Sequence, residues 1–226
     1  MNRDVLLIVL TKNRWLYAGF EALLSDIVCL QADFSTSHLP SDVKDADRVL
    51  VAVDSRIFFL GEWTAFKTLK AQRPDATVIW LTREDTGRLF PVGSQGDRIL
   101  AQNLDITSLR LALMRMVLRA EPSRDEECVG CVGLTLTERR LLPYFMSGLS
   151  MSVISRLTTK PGKTLYTHRL KILAKTGFRL SVFLQLVYER NHGWLGIPEQ
   201  EHCYEKQDRK AITISGRTGI EPLVGD

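Results

Sequence analysis

The sequence predicts an α/β domain built on a parallel sheet, followed by a smaller all-α domain of four short helices. Three observations carry this. Strand-like and helix-like segments alternate over the first 120 residues, residues 120–133 break all periodicity, and from Leu134 every apolar repeat has helical spacing. At 226 residues the chain is long enough for two hydrophobic cores, and its 45% hydrophobic and 25% charged residues are those of an ordinary globular protein.

Each element follows from a local pattern. Val5–Leu10 is a continuous apolar run, as expected of a strand buried on both faces. Residues 13–26 repeat Leu16, Phe20, Leu23 and Leu24 at helical spacing. Further strands are expected at 28–34, 48–53, 77–81 and 98–100. Helices are expected near 61–72, following Gly61, and near 106–119, where Leu109, Leu113, Met116 and Val117 share a face. The α/β domain thus covers 1–119, and the polar and small residues of 120–133 form a linker.

Residues 134–190 hold the four helices. Thr135 or Thr137 caps the first, and Thr135 with Glu138 makes a capping box; Leu141, Leu142, Phe145 and Met146 point inward and Gly148 ends the helix. Ser150 caps the second, whose apolar face is Val153, Ile154 and Leu157. Pro161-Gly162 is a turn, the third helix spans about 163–175 and stops at Gly177, and the fourth covers about 180–190. Residues 191–226 have no period and read as a poorly ordered extension, although Trp194, Leu195 and Ile197 are apolar enough to dock.

Several function classes fall away. Cys128 and Cys131 are spaced as a pair, but no second Cys or His pair stands at metal-ligand spacing, so neither a metal nor a cofactor is expected. No nucleophile elbow or phosphate loop is visible, which argues against an enzyme. No secretory signal and no apolar stretch of about 18 residues is visible, so a cytoplasmic protein without a membrane span is expected.

The formal charge of +4 conceals a sharp asymmetry. Between Glu138 and Glu189 there is no acidic residue, while nine Lys and Arg fall there; the remainder of the chain sums to −5. So one-sided a block calls for a polyanionic partner, and double-stranded DNA is the common one. The third helix is the element to read it. Leu165, Ile172 and Leu173 face inward, Tyr166, Thr167, Leu170 and Lys171 face outward, and Lys163, Arg169 and Lys175 flank them. Thr164 lies at the helix N-terminus, where unpaired backbone N–H groups can meet a phosphate.

Leu134-Thr-x-x-Glu138, Leu141-Leu142, Gly148-Leu-Ser150, Ile154, Lys163-Thr-Leu165, His168-Arg169 and Leu173-x-Lys175-x-Gly177 closely resemble the LuxR-type four-helix, helix-turn-helix DNA-binding domain, ungapped over about 45 residues. The resemblance implies base reading by Tyr166, Thr167 and Leu170. It implies backbone contacts by Lys163, Thr164, His168, Arg169, Lys171 and Lys175, with His168 equally readable as an internal hydrogen-bonding residue. Thr158 and Thr176 stand where that family usually has leucine, and Pro161-Gly162 lies in the turn.

The front domain resembles, more weakly, the flavodoxin-like receiver domain of response regulators. That resemblance places Asp54 near the phosphate-accepting position at the end of the third strand and Thr82 at the end of the fourth. Phosphorylation also needs Mg²⁺ on an acidic pair after the first strand and a Lys after the fifth, whereas this chain has Thr11, Lys12 and Ala101 there. Asp54 and Thr82 are therefore expected to be vestiges of a phospho-site. Such degenerate receivers serve as dimerisation platforms, so a homodimer, or a heterodimer with a related LuxR-type regulator, is expected. Trp80-Leu-Thr-Arg83 resembles the Trp-x-Thr/Ser-Arg signature with which some LuxR-type regulators bind cyclic di-GMP, although on a buried strand Trp80 reads more simply as core. The functional expectation is a DNA-binding transcription regulator. Its alternatives are an interaction protein that modulates another regulator through the α/β domain, and a cyclic di-GMP-responsive regulator.

Overall fold

The computed structural model describes residues 5–83, 85–118, 127–129, 133–191 and 194–195. Most of the expected linker, Cys131 and Ile197, and the extension from residue 196 lie outside the described residues.

The front domain is a sheet of strands β1 (Val5–Leu10), β2 (Val28–Ala32), β3 (Arg48–Asp54), β4 (Thr77–Thr82), β5 (Arg98–Ala101) and β6 (Glu127–Cys128). Their order across the sheet is β2-β1-β3-β4-β5-β6. The first five are parallel. The three central strands β1, β3 and β4 are almost wholly buried, which is why they read as unbroken apolar runs. β6 pairs antiparallel with β5, so part of the expected linker is stitched to the sheet edge, and Val129 behind it is buried.

Helices cover both faces. Packed with one face are α1 (Arg14–Leu23), capped by the Asn13 side chain, and α5 (Ile106–Val117), capped by Asp105. Phe20 and Leu24 from the α1 end meet Leu113 and Met116 of α5 in one core. The single helix expected over 61–72 is two: α3 (Arg56–Leu60) and α4 (Thr64–Gln72). Gly61 does not start a helix but ends one, with φ 69°, the left-handed conformation a C-cap glycine adopts. A one-turn helix, α2 (Asp42–Asp45), precedes β3.

The C-terminal region is helical throughout: α6 (Leu136–Met146), α7 (Met151–Thr158), α8 (Gly162–Thr176) and α9 (Ser181–Arg190). The Thr135–Glu138 capping box forms in full, and the Ser150 side chain caps α7. Pro161 is the N-cap of α8, and Gly177, at φ 74°, ends it.

The two regions share one hydrophobic core. Phe58, Trp63, Trp80 and Leu89 pack in a cluster continuous with Leu142, Met146, Ile172, Phe178, Leu184 and Val187. Asn191 pins the junction. Its Oδ1 accepts from Trp63 Nε1 at 2.7 Å, and its Nδ2 donates to the carbonyls of Phe58 at 2.7 Å and Val187 at 2.6 Å. Trp194 stacks on Trp63, and Leu195 is buried against Pro91, so the extension begins docked rather than loose.

Candidate nucleic-acid interface

Helix α8 is set by four anchoring side chains. Leu165 and Ile172 are buried; Leu165 closes a small core with Leu141 and Ile154. Two charged side chains hold its flanks. Arg169 donates to Ser181 Oγ at the start of α9, and Lys175 Nζ lies 2.6 Å from Glu138 Oε2. Burial raises the Glu138 pKa, but the Lys175 ammonium and the Thr135 N–H outweigh it, and the carboxyl ends below its ordinary range. The same carboxylate thus caps α6 and ties α8 to it.

Opposite the anchors, Lys163, Thr164, Tyr166, Thr167, Leu170 and Lys171 all face solvent. Tyr166 is 57% exposed and Leu170 49%, an unusual display of apolar surface flanked by two lysines. Thr167 Oγ1 donates to the Lys163 carbonyl, leaving its methyl outward. The structure therefore brings six of the nine expected DNA residues onto one open face. It puts the other three on the flanks: Arg169 and Lys175 are held within the domain, and His168 is half-buried with Nδ1 unpartnered. The α/β domain packs against α6, α9 and the C-terminal end of α8, not against this face.

The two threonines at usual leucine positions have local reasons. Thr158 Oγ1 donates to the Ile154 carbonyl at 2.7 Å. Thr176 is fully buried, its hydroxyl donating to the Ile172 carbonyl at 2.7 Å while its own carbonyl accepts from Arg88 N at 2.7 Å. That last bond joins α8 to the loop after β4, a contact absent from any local pattern.

At the sheet's carboxyl edge, Asp54 is 2% exposed and both its oxygens are engaged. Thr11 Oγ1 donates to Oδ2 at 2.7 Å, while Gln102 Nε2 and Arg56 N each donate to Oδ1 at 3.1 Å. Lys12 turns away to Glu62, at 2.6 Å, and to Asp33, at 3.8 Å. Those hydrogen bonds to Glu62 and Asp33, opposed only by desolvation, raise its pKa above the ordinary lysine value. Gln102, one residue past β5, was not singled out by the sequence; the only signal was its place after the strand. Thr82 does not reach Asp54: its hydroxyl points to the Leu100 carbonyl, 3.4 Å away. Among the described residues no cluster of His, Cys, Asp and Glu could hold a metal ion. No described helix is long and apolar enough to cross a membrane.

Trp80 and Arg83 are three residues apart at the end of a strand, and strand geometry sends them to opposite sides. Trp80 is 0% exposed, packed on Phe58, Phe66 and Phe90, with its Nε1 donating to Asp97. Arg83 lines an open cleft of about 800 Å³ with Gln102, Asn103 and Arg179. A guanine cannot stack on this indole without unpacking the core, which overturns the cyclic di-GMP signature at this position.

Comparison with solved structures now decides the architecture. The RcsB response regulator in complex with DNA matches 84% of this chain and 99% of its own, with a TM-score of 0.58 at 16% identity. The fold is that of a two-domain response regulator. Two RcsB dimers bound to parallel DNAs give the same score over 100% of the RcsB chain. RcsB from Salmonella enterica serovar Typhimurium on the flhDC promoter gives 0.57 at 15% identity, over 99% of its chain. No protein-family model matches the sequence, and no curated protein does. The likeness in fold spans both regions, the sheet and the four C-terminal helices alike.

Proposed function

We propose that the chain is a sequence-specific DNA-binding transcription regulator of the cytoplasm, with α8 lying in the major groove. Tyr166, Thr167 and Leu170 read base edges, and Lys163, Thr164 and Lys171 contact the backbone. His168 and Arg169 lie beside the groove-facing side chains and complete the backbone contacts once a phosphate draws them out. Lys175 serves chiefly to hold α8 against α6 through Glu138. The observation that carries the reading is a helix buried along one side while its other side stays open, apolar at the centre and cationic at the edges. The likeness in fold to RcsB, solved on DNA, supports it.

Control does not run through phosphotransfer. Asp54 is enclosed and accepts three hydrogen bonds, and Thr11 and Lys12, the latter turned away to Glu62, stand where a receiver would have the acidic pair that holds Mg²⁺. The regulator acts as a homodimer or with a related regulator, so that two reading helices meet half-sites about one duplex turn apart. The test is enrichment of bound duplexes from a genomic library, followed by anisotropy titration. One preferred sequence bound at least ~10³-fold more tightly than bulk DNA is expected. Equal affinity for all duplexes, or stable incorporation of phosphate from acetyl phosphate at Asp54, would refute the corresponding half of the proposal.

A further inference from the structure

Helix α8 contains no Asn, Gln, Asp or Glu. In the major groove those are the side chains that address adenine and cytosine: an amide bonds adenine at two points, and a carboxylate accepts from the cytosine amino group. Guanine takes a cation. The one arginine of α8, Arg169, is half-buried and donates to Ser181 Oγ, and Lys163 and Lys171 stand at the edges of the open face. Polar base reading is therefore missing from the centre of that face. What stands there is carbon. Tyr166 and Leu170, one helical turn apart, are 57% and 49% exposed. Between them Thr167 spends its hydroxyl proton on the Lys163 carbonyl, 3.0 Å away, and turns its methyl outward.

We infer that the centre of this face recognises the 5-methyl group of thymine, so that the preferred duplex carries thymines where Tyr166 and Leu170 meet it. The inference rests on the DNA reading proposed above and names the base which that reading selects. Thymine is the one base whose major-groove edge presents a hydrocarbon, and an apolar side chain is its partner. The setting suits this occupant. Lys163 and Lys171 draw the sugar-phosphate chains to either side, and the carbon between them loses its water only against an edge that bears a methyl. With no acidic residue between Glu138 and Glu189, the region is matched to a polyanion rather than to a protein surface of mixed charge. The spacing sets the register. Four residues of helix rise about 6 Å and stacked base pairs about 3.4 Å, so the two side chains meet edges one or two base pairs apart. Leu170 has nothing but its methyls to offer, whereas the Tyr166 ring can cover a methyl while its hydroxyl donates to the thymine O4.

The test uses the full chain and a duplex selected with it from a random-sequence library. That duplex is resynthesised with deoxyuridine in place of each thymine in turn, which removes the methyl and leaves the hydrogen-bonding edge unchanged, and affinity is read by anisotropy titration. At one or two positions of a half-site the exchange should weaken binding about fourfold, the ~0.8 kcal/mol of one buried methylene-sized group. At the same positions 5-methylcytosine should bind more tightly than cytosine. In Leu170→Ala the loss on exchange at one of these positions should shrink to less than about twofold, since methyl and side chain then no longer couple. Leu170 faces solvent, so the circular dichroism of the variant should match wild type. A selected duplex that tolerates deoxyuridine at every thymine, or a half-site built of G·C pairs alone, overturns the inference and leaves the DNA reading standing. So does a loss on exchange that is the same in wild type, Leu170→Ala and Tyr166→Ala, because the methyl then acts through the shape of the duplex. Equal affinity for all duplexes overturns both.

Discussion

Replacing Asn191 by leucine tests whether the two regions are one cooperative body. The side chain is 2% exposed and makes three bonds of 2.6–2.7 Å, two of them, to Trp63 and Phe58, across the junction. Leucine keeps the bulk but leaves the Trp63 N–H and the carbonyls of Phe58 and Val187 without that partner. A buried polar group left unsatisfied costs about 1–3 kcal/mol. Trp63 is buried, and the N–H and the Phe58 carbonyl together come to about 2–6 kcal/mol, of which leucine's added apolar burial returns roughly 1 kcal/mol. Against a total stability of about 5–15 kcal/mol, the loss is large. Urea unfolding followed by tryptophan fluorescence and by far-ultraviolet dichroism reads it. Trp63 and Trp80 report the shared core, and the dichroism reports the helices of both regions. Both signals should fall in one transition, and Asn191→Leu should lower both midpoints together. In a Trp63→Phe background, which has already lost the indole donor, the same replacement should cost about 1–2 kcal/mol less. If the dichroism midpoint stays at its wild-type value while the fluorescence midpoint falls, the common core is not a common folding unit and the reasoning fails.

Other consequences follow from the same contacts. Tyr166→Ala should reduce discrimination among duplexes by about 1–3 kcal/mol, while Lys171→Ala should weaken all duplexes alike and reduce the salt slope by about one, both read by anisotropy titration over a salt series. Gly87→Val should destabilise the junction, because Gly87 has φ 62° and an added Cβ would overlap the buried Phe178 ring; the urea midpoint measures it. Glu138 has a folded-state pKa below its ordinary value, so its contribution is present above the ordinary glutamate range and lost as pH falls through the folded value. Stability should therefore drop on acidification below about pH 4.5 in the wild type and do so less in Glu138→Gln, followed by thermal unfolding across pH.

What was legible in the sequence was local. Val5–Leu10 announced a doubly buried strand because every residue in it is apolar, and Thr135, Glu138, Ser150 and Gly177 marked helix ends by chemistry that acts within three residues. Helical spacing likewise divided α8 correctly into Leu165 and Ile172 inside and Tyr166, Leu170 and Lys171 outside. The misses are long-range. Gly61 can open or close a helix by type, and only its left-handed φ, with an added Cβ meeting the Arg190 carbonyl at 2.5 Å, decides that it closes one against the second domain. Asn191 and Trp63 are 128 residues apart, and nothing periodic links them. β6 is two residues held by an edge strand rather than by its own propensity. Lys175 is a cation on a cationic helix, and only the placement of Glu138, 37 residues earlier, turns it inward.

On the function proposed above, these contacts bear on how the chain could be switched. A receiver works as a switch when phosphorylation stabilises one of two arrangements, and a signal moves an equilibrium only by the difference in its interaction with the two states. Here the carboxylate that would take the phosphoryl group already satisfies Thr11, Gln102 and the Arg56 N–H. The joint that would move is filled by Trp63, Phe178, Leu184 and Val187. Separating the domains would expose that core, at a cost of about 1.5–3 kcal/mol for each large side chain. A phosphoryl group would have to supply more than that at a carboxylate whose oxygens already accept three hydrogen bonds. On the reading proposed above, the reading face of α8 is thus presented in a single arrangement. The variable left for control is how many copies stand together on the DNA, which is set by concentration.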